Sequence, residues 1–144
     1  MREAIFKGPE IERLIPQRAP IMMVSHFFGA TENEADTGLE ISADNIFCKN
    51  GKLTEPGLIE HIAQSAAAFA GYNAIRTGQP VVLGYIGEIK KLTINQLPPV
   101  GTMIETRIAV ISEVMNVLLM SARSTVDNQA VAECGIKLFM DKGT

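Results

Sequence analysis

Between Thr54 and Pro80 the chain reads TEPGLIEHIAQSAAAFAGYNAIRTGQP, one helix with almost no polar face. A helix that is apolar all round has to be covered all round. Gly78, just past Thr77, is the expected stop. Ala66, Ala67, Ala68, Ala70 and Gly71 present so little side chain that a curved sheet can approach the helix backbone closely. A helix of about 20 residues is about 30 Å long, enough to cross such a sheet. The competing arrangement, a helix lying on one flat face of a sheet, calls for a polar stripe, and none can be drawn. Nor is this a membrane span: Glu60, His61, Gln64 and Asn73 interrupt it, and the uninterrupted apolar run is too short.

Around the helix the pattern is that of strands. GPEIERLIP (8–16) predicts a short helix, with Pro9 at a first helical position and Ile11, Leu14 and Ile15 on one face. IMMVSHFFGA (21–30) and ADTGLEIS (35–42) predict two strands joined as a hairpin through residues 29–34. ADNIFCKNGKLTEPG (43–57) predicts a loop rich in Asn, Gly and Pro. Past Pro80 come strands at 81–92, 102–114, 117–127 and 130–140. LPPVG (97–101) interrupts them, because proline cannot sit in a central ladder. The expected fold is therefore α+β: a long central helix wrapped by a curved antiparallel sheet of five to six strands.

At 144 residues the simplest organisation is a single domain, 1–144, with one core. The composition, 47% apolar and 20% charged, is globular and gives no argument for disorder. A net charge of -3 without a basic stripe speaks against nucleic acid as a partner. Cys48 and Cys134 lie far apart and match no metal-ligand spacing, so no metal is expected. The opening MREAIFKGPEIERL has no apolar signal region, which makes a reducing cytoplasm the expected compartment.

Chemistry concentrates at the helix start. Glu60 and Gln64 are four apart and share a face. Glu60 and His61 point roughly 100° apart and cannot form a simple acid–base pair on that helix. Early in a helix, free N–H groups and the dipole favour an anion, so Glu60 is either a carboxylate serving the helix start or a functional acid. His61 has a pKa range suited to acid–base work, against a structural reading as a satisfied core or interface histidine. His26, inside an apolar strand, reads as structural. Cys48 has nothing near it in sequence that would lower a thiol pKa. The six Phe and seven Met suit plain core, or an adaptable apolar tunnel.

Three motifs, in order, carry a resemblance. LIPQRAPIMMVSHF (14–27) looks like the opening of the 3-hydroxyacyl-acyl carrier protein dehydratases, with Gln17 where that family has a histidine. PGLIEHIAQSAA (56–67) is similar to their helix start, with Glu60, Ala63 and Gln64 at the family's spacing. GYIGEIKKLTINQLPPVG (84–101) looks like their glycine-bearing strand and the turn after it. A shortened loop before the glutamate resembles the dehydratase-like subunits of aryl-polyene pathways.

The resemblance implies a hot-dog fold and a homodimer, or a heterodimer with another hot-dog subunit. It implies an acyl carrier protein or acyl-CoA thioester as the partner, and no cofactor. It gives Glu60 the role of acid and puts Pro56, Gly57, Gln64 and Cys48 at substrate-binding positions, with the Gly57 N–H as carbonyl donor. In the family a histidine removes the α-proton, an acid protonates the leaving hydroxyl, and a backbone N–H stabilises the enolate oxygen. The family's histidine lies in the loop before the helix. The equivalent FCKNGKLTEPG contains none, which leaves His61, His26 or Cys48 as substitutes. Three functions follow: a dehydratase in fatty-acid or polyene-type synthesis, with Glu60 and His61 as catalytic residues; an acyl-thioester hydrolase; or a non-catalytic acyl-binding subunit of a heteromeric dehydratase.

Overall fold

Apolar residues at every second position give a strand one buried face, and the strands of this chain share theirs with a single helix. The computed structural model describes residues 3–79 and 83–141. The elements run β1 (Phe6–Lys7), a 3-10 helix (Gly8–Arg13), β2 (His26–Ala30), β3 (Glu34–Glu40), a small hairpin of β4 (Cys48–Lys49) and β5 (Lys52–Leu53), then helix α1 (Glu55–Thr77). The last four strands are β6 (Leu83–Ile94), β7 (Met103–Val114), β8 (Val117–Val126) and β9 (Gln129–Asp141). Seven of the strands form one antiparallel sheet in the order β1-β2-β3-β7-β8-β9-β6.

Alternation sets the inner face. Ile104 and Ile108 of β7, Met120 and Ala122 of β8, and Ile136 and Leu138 of β9 are buried and join one core with Leu58, Ile62 and Phe69 of α1. Helix α1 starts after Thr54, with proline in its first turn. It stops at Gly78, whose φ of 72° is left-handed and whose N–H reaches the Ala74 and Ile75 carbonyls. At Gly71 the Leu14 carbonyl lies where a Cβ would stand, so the end of the 3-10 helix stacks directly on the backbone of α1. One side of α1 stays partly open: Ile59, Ala63, Ala67 and Ala70 are half-buried.

The long helix and the surrounding antiparallel strands follow the sequence expectation, while the strand count exceeds it. The sheet has seven strands, because the two-residue β1 pairs with β2, which no periodicity announces. The strand expected from residue 21 begins only at His26. Residues 21–23 spend backbone groups elsewhere: the Ile21 carbonyl and both polar groups of Met23 bond to side chains of α1. The expected loop at 43–57 contains the β4–β5 hairpin, turned by Asn50 and Gly51 at φ 55° and 78°. The helix expected at 8–16 is the shorter 3-10 helix. Pro80 and residues 81–82, where the third of the expected strands was to begin, lie outside the described residues.

Candidate active site

The second turn of α1 carries Glu60, half-buried on the helix's partly open side. Its Oε1 accepts a hydrogen bond from Gln64 Nε2 at 2.9 Å, the contact that the four-residue spacing predicts. Gln64 itself is fully buried. Its Oε1 accepts the Met23 N–H at 2.6 Å, and its Nε2 also donates to the Ile21 carbonyl at 2.9 Å. The glutamine thus ties the segment before β2 to the helix and the helix to its carboxylate.

One turn earlier lie the amides that a helix start leaves unbonded. The Thr54 hydroxyl does not cap them; it donates to the Phe47 carbonyl at 2.6 Å. The Leu58 N–H reaches the Thr54 carbonyl at 3.0 Å. Among the described residues the Gly57 N–H has no acceptor. Gly57 is buried, and a Cβ there would collide with Phe47 and Leu53 of the preceding hairpin. Pro56 is exposed at the helix tip. Cys48 is half-buried on β4, where Sγ donates a weak bond to the Ser42 carbonyl at 3.7 Å. Burial pushes its thiol up, the opposite of what a nucleophile or a base needs.

His61 turns the other way, into the core, where it is fully buried. Its Nδ1 meets the Met23 carbonyl at 2.7 Å and its Nε2 meets Thr106 Oγ1 at 2.8 Å. Desolvation pulls its pKa down to about 4, against the raising effect of the Met23 bond, so the ring is neutral at pH 7. Thr106 continues to Ser124 at 2.7 Å. Beside it, Ser65 Oγ meets Thr37 Oγ1 and the His61 carbonyl, both at 2.7 Å. Thr37, Thr106 and Ser124 stand in register across β3, β7 and β8. This row was legible as hydroxyls at inward alternating positions, in Ile104–Thr106–Ile108 for example, yet periodicity alone marks such positions as core and nothing more.

His26 lies on the other face of the sheet. Its neighbour Phe27 packs inward on Tyr72 of α1, ring centroids 4.9 Å apart. His26 points outward with Phe28, the rings stacked at 5.8 Å. Its Nδ1 is 2.9 Å from Ser25 Oγ, and its Nε2 is 3.8 Å from a Glu40 carboxylate oxygen. Both histidines of the chain are thereby held away from the open side of α1, and the structure joins Glu60 to Gln64 alone among the candidate groups.

Further along that helix, Phe69 and Ala70 form one wall of a groove of about 400 Å³. Val110, Leu118 and Met120 form the other wall, and Glu32, Asn33 and Glu113 also line it. Phe69 is about 14 Å from Glu60 along the axis, at 1.5 Å per residue, and points from the opposite side of the helix. Among the described residues no three His, Cys, Asp or Glu side chains gather as metal ligands, and no helix is long and apolar enough to cross a membrane.

Residues 9–143 match the family model described as ApeP-like, ApeP dehydratase. The solved dehydratase heterocomplex ApeI:P from Xenorhabdus doucetiae is similar in fold. It has a TM-score of 0.83 at 13% identity, over 90% of this chain and 90% of that one. Cj0977, a sigma28-regulated virulence protein from Campylobacter jejuni, aligns with a TM-score of 0.72 at 12% identity, over 92% and 96% of the chains. The PaaI protein of the E. coli phenylacetic acid degradation operon gives 0.64 at 9% identity, over 78% and 80%. No curated protein matches the chain.

Proposed function

The chain belongs to the ApeP-like dehydratase family, and from that premise we propose that it is the acid-bearing subunit of a heteromeric hot-dog dehydratase. Its substrate is a 3-hydroxyacyl thioester on acyl carrier protein, in a fatty-acid or polyene-type synthesis in the cytoplasm. One observation carries the reading. Glu60 is held on the open side of α1, while both histidines are engaged elsewhere, one in the core and one on the far face of the sheet. A second copy of this chain would bring the same two histidines in the same places. The general base therefore comes from a different hot-dog subunit.

In that composite site the partner's base takes the α-proton, and the electron pair moves toward the thioester carbonyl. The Gly57 N–H, unbonded at the helix start, stabilises the developing enolate oxygen, helped by the helix dipole. Glu60 gives its proton to the 3-hydroxyl as the carbon–oxygen bond breaks, releasing water and leaving a carbon–carbon double bond. The half-buried strip Ile59, Ala63, Ala67 is apolar surface for the second subunit to cover. The ApeI:P protein is itself a heterocomplex, which supports the assembly.

The test gives a 3-hydroxyacyl carrier protein to the chain alone and to the chain co-purified with a second hot-dog subunit that carries the missing histidine. The pair should release water and the single chain should not. Glu60→Gln should cut turnover of the pair about 10²- to 10⁴-fold, the usual worth of a general acid. Full rate in that variant, or equal rate by the isolated chain, overturns the proposal. Free thiol in the same assay reports the hydrolase alternative.

A further inference from the structure

The hydrogen bonds around Met23 have forced directions. A carbonyl oxygen only accepts, so the hydrogen of His61 sits on Nδ1, bonded to the Met23 carbonyl. Nε2 is then a lone pair and accepts from the Thr106 hydroxyl, which in turn accepts from Ser124. On the other side of the same residue, the Met23 N–H donates to Gln64 Oε1 at 2.6 Å. That fixes the amide: turned over, it would set an NH₂ group against an N–H. Both hydrogens of Gln64 Nε2 are committed, one to the Ile21 carbonyl and one to Glu60 Oε1. Oε1 is therefore an acceptor, and the transferable proton belongs on Oε2.

We propose that His61 is a positioning residue: by holding the Met23 carbonyl it holds the Gln64 amide, which orients Glu60 so that Oε2 faces the reacting hydroxyl. The inference rests on the dehydratase reading for its chemistry, though not for its geometry. The chain of bonds runs Ser124–Thr106–His61–Met23–Gln64–Glu60, from the middle of the sheet to the carboxylate. Each inner member is buried, with Ser124, Thr106, His61 and Gln64 at 0–1% exposure. A small misplacement of a reacting group suffices to cost about 10²-fold in rate.

Two substitutions separate positioning from filling. An asparagine places its amide nitrogen near the site of Nδ1, so His61→Asn keeps the Met23 bond. A glutamine reaches the site of Nε2, so His61→Gln keeps the Thr106 bond and loses Met23. In the heteromer, His61→Asn should keep kcat within about threefold, and His61→Gln should lose about tenfold or more with KM unchanged. In the free chain, hydrogen exchange at the Met23 amide should quicken in His61→Gln and not in His61→Asn. The Glu60 carboxyl carbon shift should move with it. Equal effects of both variants on kcat and exchange overturn the proposal.

Should His61→Gln fail to fold, Gln64→Met cuts the same chain one link nearer Glu60 and should reproduce the kcat loss. Thr106→Val leaves the Met23 bond and should not. Retained kcat in Gln64→Met overturns the proposal. If the wild-type pair shows no turnover, the dehydratase reading falls, and exchange at Met23 with the Glu60 carbon shift decides the positioning claim alone.

Discussion

His61 enters the core without its charge, and the folded state is bound to that choice. An unfolded histidine titrates near 6.5, whereas burial holds this one at about 4. Between those values the unfolded chain binds the extra proton, so stability rises with pH across that window. The contribution is complete above pH 6.5 and lost as pH falls toward 4, at most about 3 kcal/mol for a shift of this size. Urea unfolding at intervals from pH 4 to 7 should show that slope, and His61→Asn should remove it. The helical spacing of Glu60 and Gln64 made their contact readable from the chain, since both ends lie on one element. Nothing local revealed what His61 does: its partners are 38 and 45 residues away, and only tertiary pairing brings them to it.

At the scale of elements, the close approach of α1 and the 3-10 helix is the most exacting contact. The Leu14 carbonyl occupies the space of a Gly71 side chain, and backbone cannot rotate away as a side chain can. Gly71→Ala should cost about 1–3 kcal/mol or more, as overpacking does, read as a lower denaturation midpoint at unchanged helix content. The apolar helix and the long strands were legible because one period governs each over many residues. Short pairings were not: β1 has two residues, and no pattern fits in two. The β4–β5 hairpin was legible in principle, since Asn50–Gly51 suits a turn that needs positive φ twice. Residues 21–24 looked like strand because they are apolar, but the Ile21 carbonyl and the backbone of Met23 are bonded to side chains of α1, a competition that hydrophobic pattern does not register.

Taken as a whole, the molecule has an open end and an open side. Strand β6 is twelve residues long and closes the sheet, with one edge unpaired among the described residues. It is irregular near Lys91, where φ is 53° and the register with β9 shifts, a disruption that limits indiscriminate pairing along an edge. Beside Glu60, α1 keeps its half-buried apolar strip. In the proposed assembly a charge placed there has to be desolvated as the second subunit covers it. Ala67→Glu should weaken association with the partner at least tenfold in a pull-down or sedimentation experiment, with the circular dichroism of the free chain unchanged. The lack of a histidine in the loop before α1 was legible; where the two present histidines point was not, because inward and outward faces exist only once strands pair. On three of those strands Thr37, Thr106 and Ser124 stand abreast beneath His61 and Ser65. Slide β7 by a residue and Thr106 turns to water while Glu105 or Arg107 faces the imidazole, so a single alignment satisfies all five. Replacing one of them alone strands its neighbour at about 1–3 kcal/mol, while exchanging them together for well-packed apolar groups costs little. Descendants of this chain should accordingly gain or lose the five as a linked block, a constraint on its evolutionary drift imposed by mutual thirst for hydrogen bonds.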